Sequence, residues 1–371
     1  MAVLLPRRER FQAQGAGAVS WCVAEQARHS AFRERLLVLG SPVHPAGGEP
    51  LDPETFVPVR PAGWIHGRRS RRYLLGAARL LAPRGPALVE VHNRPAFLPL
   101  LRRRLPGVPL MLYLHNDPQS MAALRTPRRR LRALEALAAV VCVSGPIRRR
   151  FLEGLEGHPL QERVEVVLNG VDTARLRPAP KRREVVFVGR LSPQKGGLLF
   201  LEAARLLAPR LPGWRFVVVG SRRFGEGLGS PYERQVAQAA RALGPACELT
   251  GYLPREEALA RLARAAVAVV PSLWEDPCPL TAIEALAAGC ALVATRRGGL
   301  PEIVGEAGLL LDEERPEALA AALEGLLGDP EGLAAAQRRA RERAERHLDV
   351  RRTAARLDAV RRRAMARGGC P

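Results

Sequence analysis

Val185-Val186-Phe187-Val188, then Gly189-Arg190-Leu191-Ser192-Pro193-Gln194-Lys195-Gly196-Gly197, then a helical stretch over Phe200–Leu211: this run decides the fold. Four apolar residues in a row suit a strand buried on both faces of a parallel sheet. A glycine ends the strand, and two cations five residues apart stand in the turn. A helix follows, so the turn offers free backbone N–H groups and the positive end of a dipole. With Arg190 and Lys195 added, the turn suits a diphosphate. The bland alternative is a surface turn with ordinary cations.

The same alternation of short apolar run and helical stretch extends outward in both directions. Leu36–Leu39, Ala87–Val91, Leu110–Leu114, Ala138–Val143 and Val164–Leu168 read as strands before it. Phe216–Val219, Val267–Val270, Ala291–Ala294 and Leu309–Leu311 read as strands after it. Alternation of this kind predicts α/β layers, and it occurs twice. Between the halves, Asp172–Arg183 holds two prolines and a charge run with no apolar period, a linker pattern. The expected domains are 1–178 and 179–345, with a C-terminal helix over 346–371 that packs back on the first domain. Two Rossmann-like domains facing across a cleft would bind ligand at the carboxyl ends of their strands.

Length and composition agree. The chain has 371 residues, enough for two domains, and 47% hydrophobic residues exclude a disordered chain. No apolar run approaches the roughly 20 residues of a membrane span. Ala2–Leu5 followed by Pro6-Arg7-Arg8 has the wrong order for a signal peptide, so a cytoplasmic location is expected. Cys22, Cys142, Cys247, Cys278, Cys290 and Cys370 form no C-x-x-C pair and no zinc spacing. Neither a disulfide framework nor a metal is expected, and no cofactor.

The net charge is +21, unevenly placed. Residues 1–183 carry 31 Lys/Arg against 14 Asp/Glu, and residues 184–371 carry 27 against 23, giving +17 and +4. The clusters are Arg68-Arg69, Arg71-Arg72, Arg102–Arg104, Arg128–Arg130 and Arg148–Arg150. A basic half points to an acidic partner, such as an anionic membrane surface or a lipid-linked acceptor. Nucleic acid is disfavoured, because aromatics are 5% and do not interleave with the cations.

Four more segments carry candidate chemistry. Asp276 and Glu284, within Pro271–Gly289, place one carboxylate on a loop after a strand and the other in the first turns of a helix. A carboxylate there accepts two hydroxyl hydrogen bonds, as a ribose or hexose diol requires; loop capping and a salt bridge are the bland alternative. Gly298-Gly299 allows close backbone approach to a ligand. Gly15-Ala16-Gly17-Ala18 opens a helix after a short first strand. Tyr113-Leu114-His115-Asn116-Asp117 ends a strand, and Glu90-Val91-His92-Asn93-Arg94-Pro95 ends the one before it.

In combination these segments resemble the retaining glycosyltransferases of family 4, with the GT-B fold. Leu168-Asn169-Gly170-Val171-Asp172 is similar to that family's Asn-Gly-Val-Asp signature. Gly189-Arg190-Leu191 through Lys195-Gly196 is similar to its strand-and-cation motif, and Asp276 to Glu284 to its paired acids. Asn93–Pro95 and His115–Asn116 are similar to members that build bacterial surface polysaccharide, lipopolysaccharide core and spore coat. The resemblance implies hexosyl transfer from a nucleotide-diphosphate sugar, UDP-linked among others, to an acceptor hydroxyl without a metal. It implies that Arg190 and Lys195 neutralise the diphosphate, Glu284 holds the ribose, and Leu280 and Thr281 meet phosphate and sugar. Asp276 would contact the donor sugar, and His115 would lie near the reacting sugar. Gly15 and Gly17 would open the first domain to the donor, with the base near Gly251-Tyr252-Leu253. The chain departs from the family at Asp276, where Glu is usual, and at Cys278-Pro279, where Phe-Gly is usual. The alternative reading is a catalytically weak nucleotide-sugar-binding protein at a membrane, and Cys278-Pro279 is its support.

Overall fold

The computed structural model describes residues 1–44, 47–62, 69–222 and 229–368. Cys370 and Arg68, named above, lie outside them. The chain divides into two compact units, Met1–Gly170 with Val350–Pro371, and Val171–Asp349.

The first unit contains, in order, β1 (Ala2–Leu4), α1 (Ala18–Arg28), β2 (Leu37–Gly40), β3 (Phe56–Pro58), α2 (Arg69–Leu81) and β4 (Val89–His92). Then come α3 (Leu98–Arg104), β5 (Leu110–Leu114), α4 (Pro127–Glu135), β6 (Ala139–Cys142), α5 (Gly145–Leu152) and β7 (Val164–Val166). The strands form one sheet in the order β3-β2-β1-β4-β5-β6-β7, parallel throughout. All five residues of β5 are buried, as continuous apolar strands covered on both faces should be.

The second unit contains β8 (Arg182–Val188), α6 (Gly197–Leu207), β9 (Arg215–Val219), α7 (Pro231–Ala242), β10 (Cys247–Gly251), α8 (Arg255–Arg264) and β11 (Ala265–Val270). It continues with α9 (Leu280–Ala287), β12 (Ala291–Thr295), α10 (Leu300–Val304), β13 (Leu309–Leu311), α11 (Pro316–Leu327) and α12 (Pro330–Arg343). Its sheet is parallel in the order β10-β9-β8-β11-β12-β13. In its core, Val185, Phe187, Phe216 and Val267 of the strands meet Phe200, Ala203, Ala204 and Leu207 on the apolar face of α6.

Each sheet reverses its strand order once, between β1 and β4 in the first unit and between β8 and β11 in the second. In open α/β sheets the crevice outside the carboxyl ends of the strands at such a reversal is where ligands bind. Gly15 and Gly17 follow β1, and Asn93 follows β4. Arg190 and Lys195 follow β8, and Asp276 follows β11.

Two strands escape the apolar-run reading. β3 ends in Pro58, which an edge position tolerates because no further strand needs its N–H. β10 is the other unit's edge and is half-buried along its length, so it has no continuous apolar run. The segment expected to be a linker is instead bound to the second unit, and the division falls at Gly170/Val171. Arg341 of α12 donates to the carbonyls of Thr173 (2.8 Å) and Leu176 (2.7 Å). Lys181 donates to the carbonyls of Ala263 and Ala288. Composition showed the prolines but not these carbonyl partners.

After α12 a single π-helical turn, Ala344–Leu348, leads to α13 (Val350–Gly368). α13 packs against α1 and buries Leu357, Val360 and Ala364. Among the described residues no helix is long and apolar enough to cross a membrane.

Candidate functional site

In the second unit, two glycines bring the candidate residues together. Gly196 has φ +73°, and a Cβ there would lie 1.9 Å from the Pro271 carbonyl oxygen. Only glycine lets the turn after β8 press against the chain leaving β11. The Leu273 N–H donates to the Gln194 carbonyl (2.9 Å) across that contact. Lys195 Nζ then reaches Asp276 Oδ2 at 2.5 Å and stands 5.7 Å from the centre of the Trp274 ring. Ser272 Oγ donates to the same carboxylate oxygen (3.3 Å).

Gly298 does for Asp276 what Gly196 does for Lys195. Its φ is +54°, and a Cβ would lie 2.1 Å from the Asp276 carbonyl oxygen. The Gly299 N–H donates to that oxygen (2.8 Å), and the Gly298 N–H donates to Glu275 Oε2 (2.8 Å). The glycine pair therefore accommodates the backbone of the acidic loop. The two adjacent acids separate: Glu275 is exposed and pairs with Arg297 (3.2 Å), whereas Asp276 is buried.

Glu284 lies in the second turn of α9, is buried, and pairs with Arg255 Nη2 at the start of α8 (2.6 Å). Leu280 and Thr281 form the first turn of α9, half-buried. No side chain caps that turn, and its N-cap, Pro279, has no N–H. Cys278 beside it is buried. Tyr252 is half-buried just beyond β10. Arg190 is exposed at the end of β8 and joins no ion pair among the described residues. Both carboxylates of the acid pair are thus bound to cations, the salt-bridge arrangement that the sequence left open.

In the first unit, Gly15 takes φ +75° and Gly17 caps the start of α1. A Cβ on Gly17 would stand 3.0 Å from Glu9 Oε2. Glu9 accepts a hydrogen bond from Ser20 Oγ (3.2 Å), and burial pushes its carboxyl above the ordinary range. Nothing in the sequence singled out Glu9.

His115, at the end of β5, is buried and hydrogen-bonded. Its Nε2 lies 2.8 Å from His92 Nδ1, and His92 Nε2 lies 2.7 Å from Glu90 Oε1. Its backbone N–H donates to Asn93 Oδ1 (2.8 Å). Asn93 is in the left-handed region, φ +49°, which suits Asn better than most residues. Burial pushes the His115 imidazole well below its ordinary value, and His92 adds to that. Burial opposes ionisation of Glu90, but Arg361 and His92 hold its carboxyl at about 2. The sequence marked the Glu90–Pro95 cluster; it gave no sign of Arg361, which is 271 residues from Glu90.

Residues 18–175 match the family description Glycosyltransferase Family 4, and residues 182–329 match Glycosyl transferases group 1. The chain belongs to glycosyltransferase family 4. It is 25% identical to spore coat protein SA of Bacillus subtilis over 294 residues, which cover 74% of this chain and 77% of that protein. It is 28% identical over 231 residues to the lipopolysaccharide 1,2-N-acetylglucosaminetransferase of Salmonella typhimurium, covering 59% of this chain and 57% of that one. Several further relatives are matched over less than half their own length. The crystal structure of Anabaena HepE in complex with UDP and glucose superimposes with a TM-score of 0.75 at 19% identity, covering 97% of this chain and 99% of that one. The fold is GT-B.

Proposed function

We propose that the chain is a retaining transferase that moves a hexosyl group from a nucleotide-diphosphate sugar to an acceptor hydroxyl in bacterial surface-glycan synthesis. The observation that carries this reading is the Lys195–Asp276 pair at the carboxyl ends of β8 and β11, with Glu284 on the helix that follows. A diphosphate beside Lys195 and Arg190 gains charge as the glycosidic bond breaks, and fixed cations stabilise that charge most in the transition state. Asp276 faces the sugar and Glu284 takes the ribose hydroxyls in place of Arg255. Leu280 and Thr281 offer backbone N–H groups to phosphate, and Tyr252 lies by the base. A leaving diphosphate oxygen takes the acceptor proton, so the reaction needs neither a metal nor a separate general base. Gly15, Gly17 and His115 serve the sugar from the first unit.

The relatives' names support a surface glycan, and the complex of HepE with UDP and glucose supports a UDP-linked donor. The charge supports an anionic lipid-linked acceptor and a peripheral location on the inner face of the membrane. Grouped by compact unit, the first carries 33 Lys/Arg against 14 Asp/Glu, net +19, and the second 25 against 23, net +2.

The test is a panel of nucleotide sugars screened for thermal stabilisation, which binding to the folded state produces. Transfer with the stabilising donor should then give a product of unchanged anomeric configuration by NMR. Inversion would overturn the retaining assignment. Binding without transfer or hydrolysis would favour the binding-protein reading, which rests on Cys278-Pro279.

A further inference from the structure

His115 is one end of a buried file of hydrogen bonds whose other end is on the C-terminal helix. Glu90 Oε2 accepts from Arg361 Nε (2.8 Å), and Arg361 Nη1 donates to Asp358 Oδ1 (3.0 Å). Asp358 in turn accepts from Ser30 Oγ (2.8 Å) and from the Ala31 N–H (2.7 Å). Arg361 and Asp358 are each 1% exposed, and Glu90 and His92 are fully buried. An apolar set of similar volume would hold α13 on the sheet equally well, because a buried ion pair seldom outperforms one. Packing alone does not account for this file, and its inner end is a candidate site residue.

The proton positions follow from the chemistry of the groups. The ionised Glu90 carboxylate only accepts, so His92 Nε2 carries a proton. His92 Nδ1 and His115 Nε2 share one proton between them. Whichever ring holds it, the file admits one tautomer of His115: a proton on His115 Nε2 leaves Nδ1 to accept, and a proton on His92 Nδ1 leaves His115 Nδ1 to donate. The ring planes are fixed as well. Tyr113 stacks on His115 (4.5 Å between centroids, 12° between planes) and on His92 (4.9 Å, 10°). Gln26 donates to the Tyr113 hydroxyl (3.1 Å). Glu9 also faces His92 and is itself faced by Arg94, and the Met1 ammonium faces Arg361.

We propose that Arg361 and Asp358 are positioning residues: through Glu90 and His92 they hold His115 in a single tautomer, so that its Nδ1 meets a substrate hydroxyl in one fixed hydrogen-bonding role. This rests on the transferase reading above. It makes α13 a working part of the first unit's site, although none of its residues touches substrate. Which nitrogen of an imidazole bears the proton is set by the partner of the other nitrogen, and here that partner is itself set by a distant helix.

The experiment is long-range proton–nitrogen NMR of the histidine-labelled full chain at neutral pH, with H115Q identifying the His115 signals. The expected wild-type spectrum has His115 neutral and in a single tautomer. E90Q and R361M should mix the two tautomers and lower kcat by about tenfold to a hundredfold, the range for outer partners of a functional imidazole, with donor KM little changed. A wild-type His115 that exchanges between both tautomers overturns the proposal, as do unchanged spectra and kcat in both variants. If R361M does not fold, the wild-type tautomer and E90Q decide. The spectrum needs no turnover, so a chain that transfers no sugar would refute the functional reading separately.

Discussion

The two units put unlike polar clusters at the same place in like sheets. At the β8/β11 reversal, opposite charges touch directly: Lys195 with Asp276, and Arg255 with Glu284. At the β1/β4 reversal, histidines are held by a file of neighbours that ends in Arg361. A contact ion pair has partners that an incoming anion or hydroxyl can replace. A file of this kind satisfies itself and presents one defined atom. The second unit is thus built to exchange partners with a ligand, and the first to hold a geometry.

The largest expected effect is on turnover. Lys195→Ala and Arg190→Ala should each lower transfer by about 100- to 1000-fold, the usual loss for one donor to a developing charge, with the fold intact. Near-wild-type rates in both variants would remove the diphosphate assignment and with it the contrast between the units.

Acid should act mainly on the first unit. The Glu90 carboxyl is held at about 2, against 4.5 for an ordinary glutamate. A lowered folded-state value gives stability that is present above 4.5 and is lost as pH falls toward 2. The difference is on the order of 3 kcal/mol. His115 acts in the same direction below its ordinary 6.5, because the unfolded chain takes up that proton first. Urea midpoints measured down the pH scale should fall more steeply for the wild type than for E90Q. Equal slopes would show that Glu90 is not the group responsible.

Arg130 sharpens the comparison from within a basic cluster. Arg128 and Arg129 are exposed, but Arg130 is 1% exposed and donates to the carbonyls of Phe151 (2.7 Å), Leu124 (3.1 Å), Arg125 and Glu153. Arg130→Met should cost about 2–3 kcal/mol of unfolding free energy, as loss of a charged donor to buried carbonyls does. Arg128→Glu should stay within about 0.5 kcal/mol. Equal losses in chemical denaturation would contradict the burial.

Glu284→Gln should weaken binding of free UDP by roughly tenfold in calorimetry, the worth of one charged hydrogen bond. Unchanged affinity would take Glu284 off the ribose. The smallest effect is per cation at a membrane, about 1 kcal/mol each. Vesicle co-sedimentation should be stronger on anionic than neutral lipid and weaker in salt. Charge reversal at Arg102, Arg103, Arg128 and Arg129 should reduce it, with Arg130 left in place. Equal binding to both lipids would leave the +19 of the first unit without a membrane partner.

Much of the fold was legible because parallel strands are written as apolar runs: the buried β5 and the edge strand β13 both have the bounds that the sequence predicts. Strands β3 and β10 were not, because Pro58 cuts the first short and the second, Cys247–Gly251, alternates with polar residues and has no apolar run. In the site, motif residues such as Lys195 and Asp276 stood out through local spacing. Their pairing did not, since it depends on Gly196 and Gly298 meeting distant backbone. Glu9 and Arg361 carry no local signal at all. Their roles come from where the chain returns, which spacing along a sequence does not encode.

That return has a consequence for the order in which the protein is made. A ribosome delivers Glu90 271 residues before Arg361. At about 5–20 residues per second this leaves an interval on the order of 15–50 s. Through most of that time the first sheet has all its strands but not the cation that neutralises its buried carboxylate. The first unit therefore begins before the second but is completed after it, once α13 has left the ribosome.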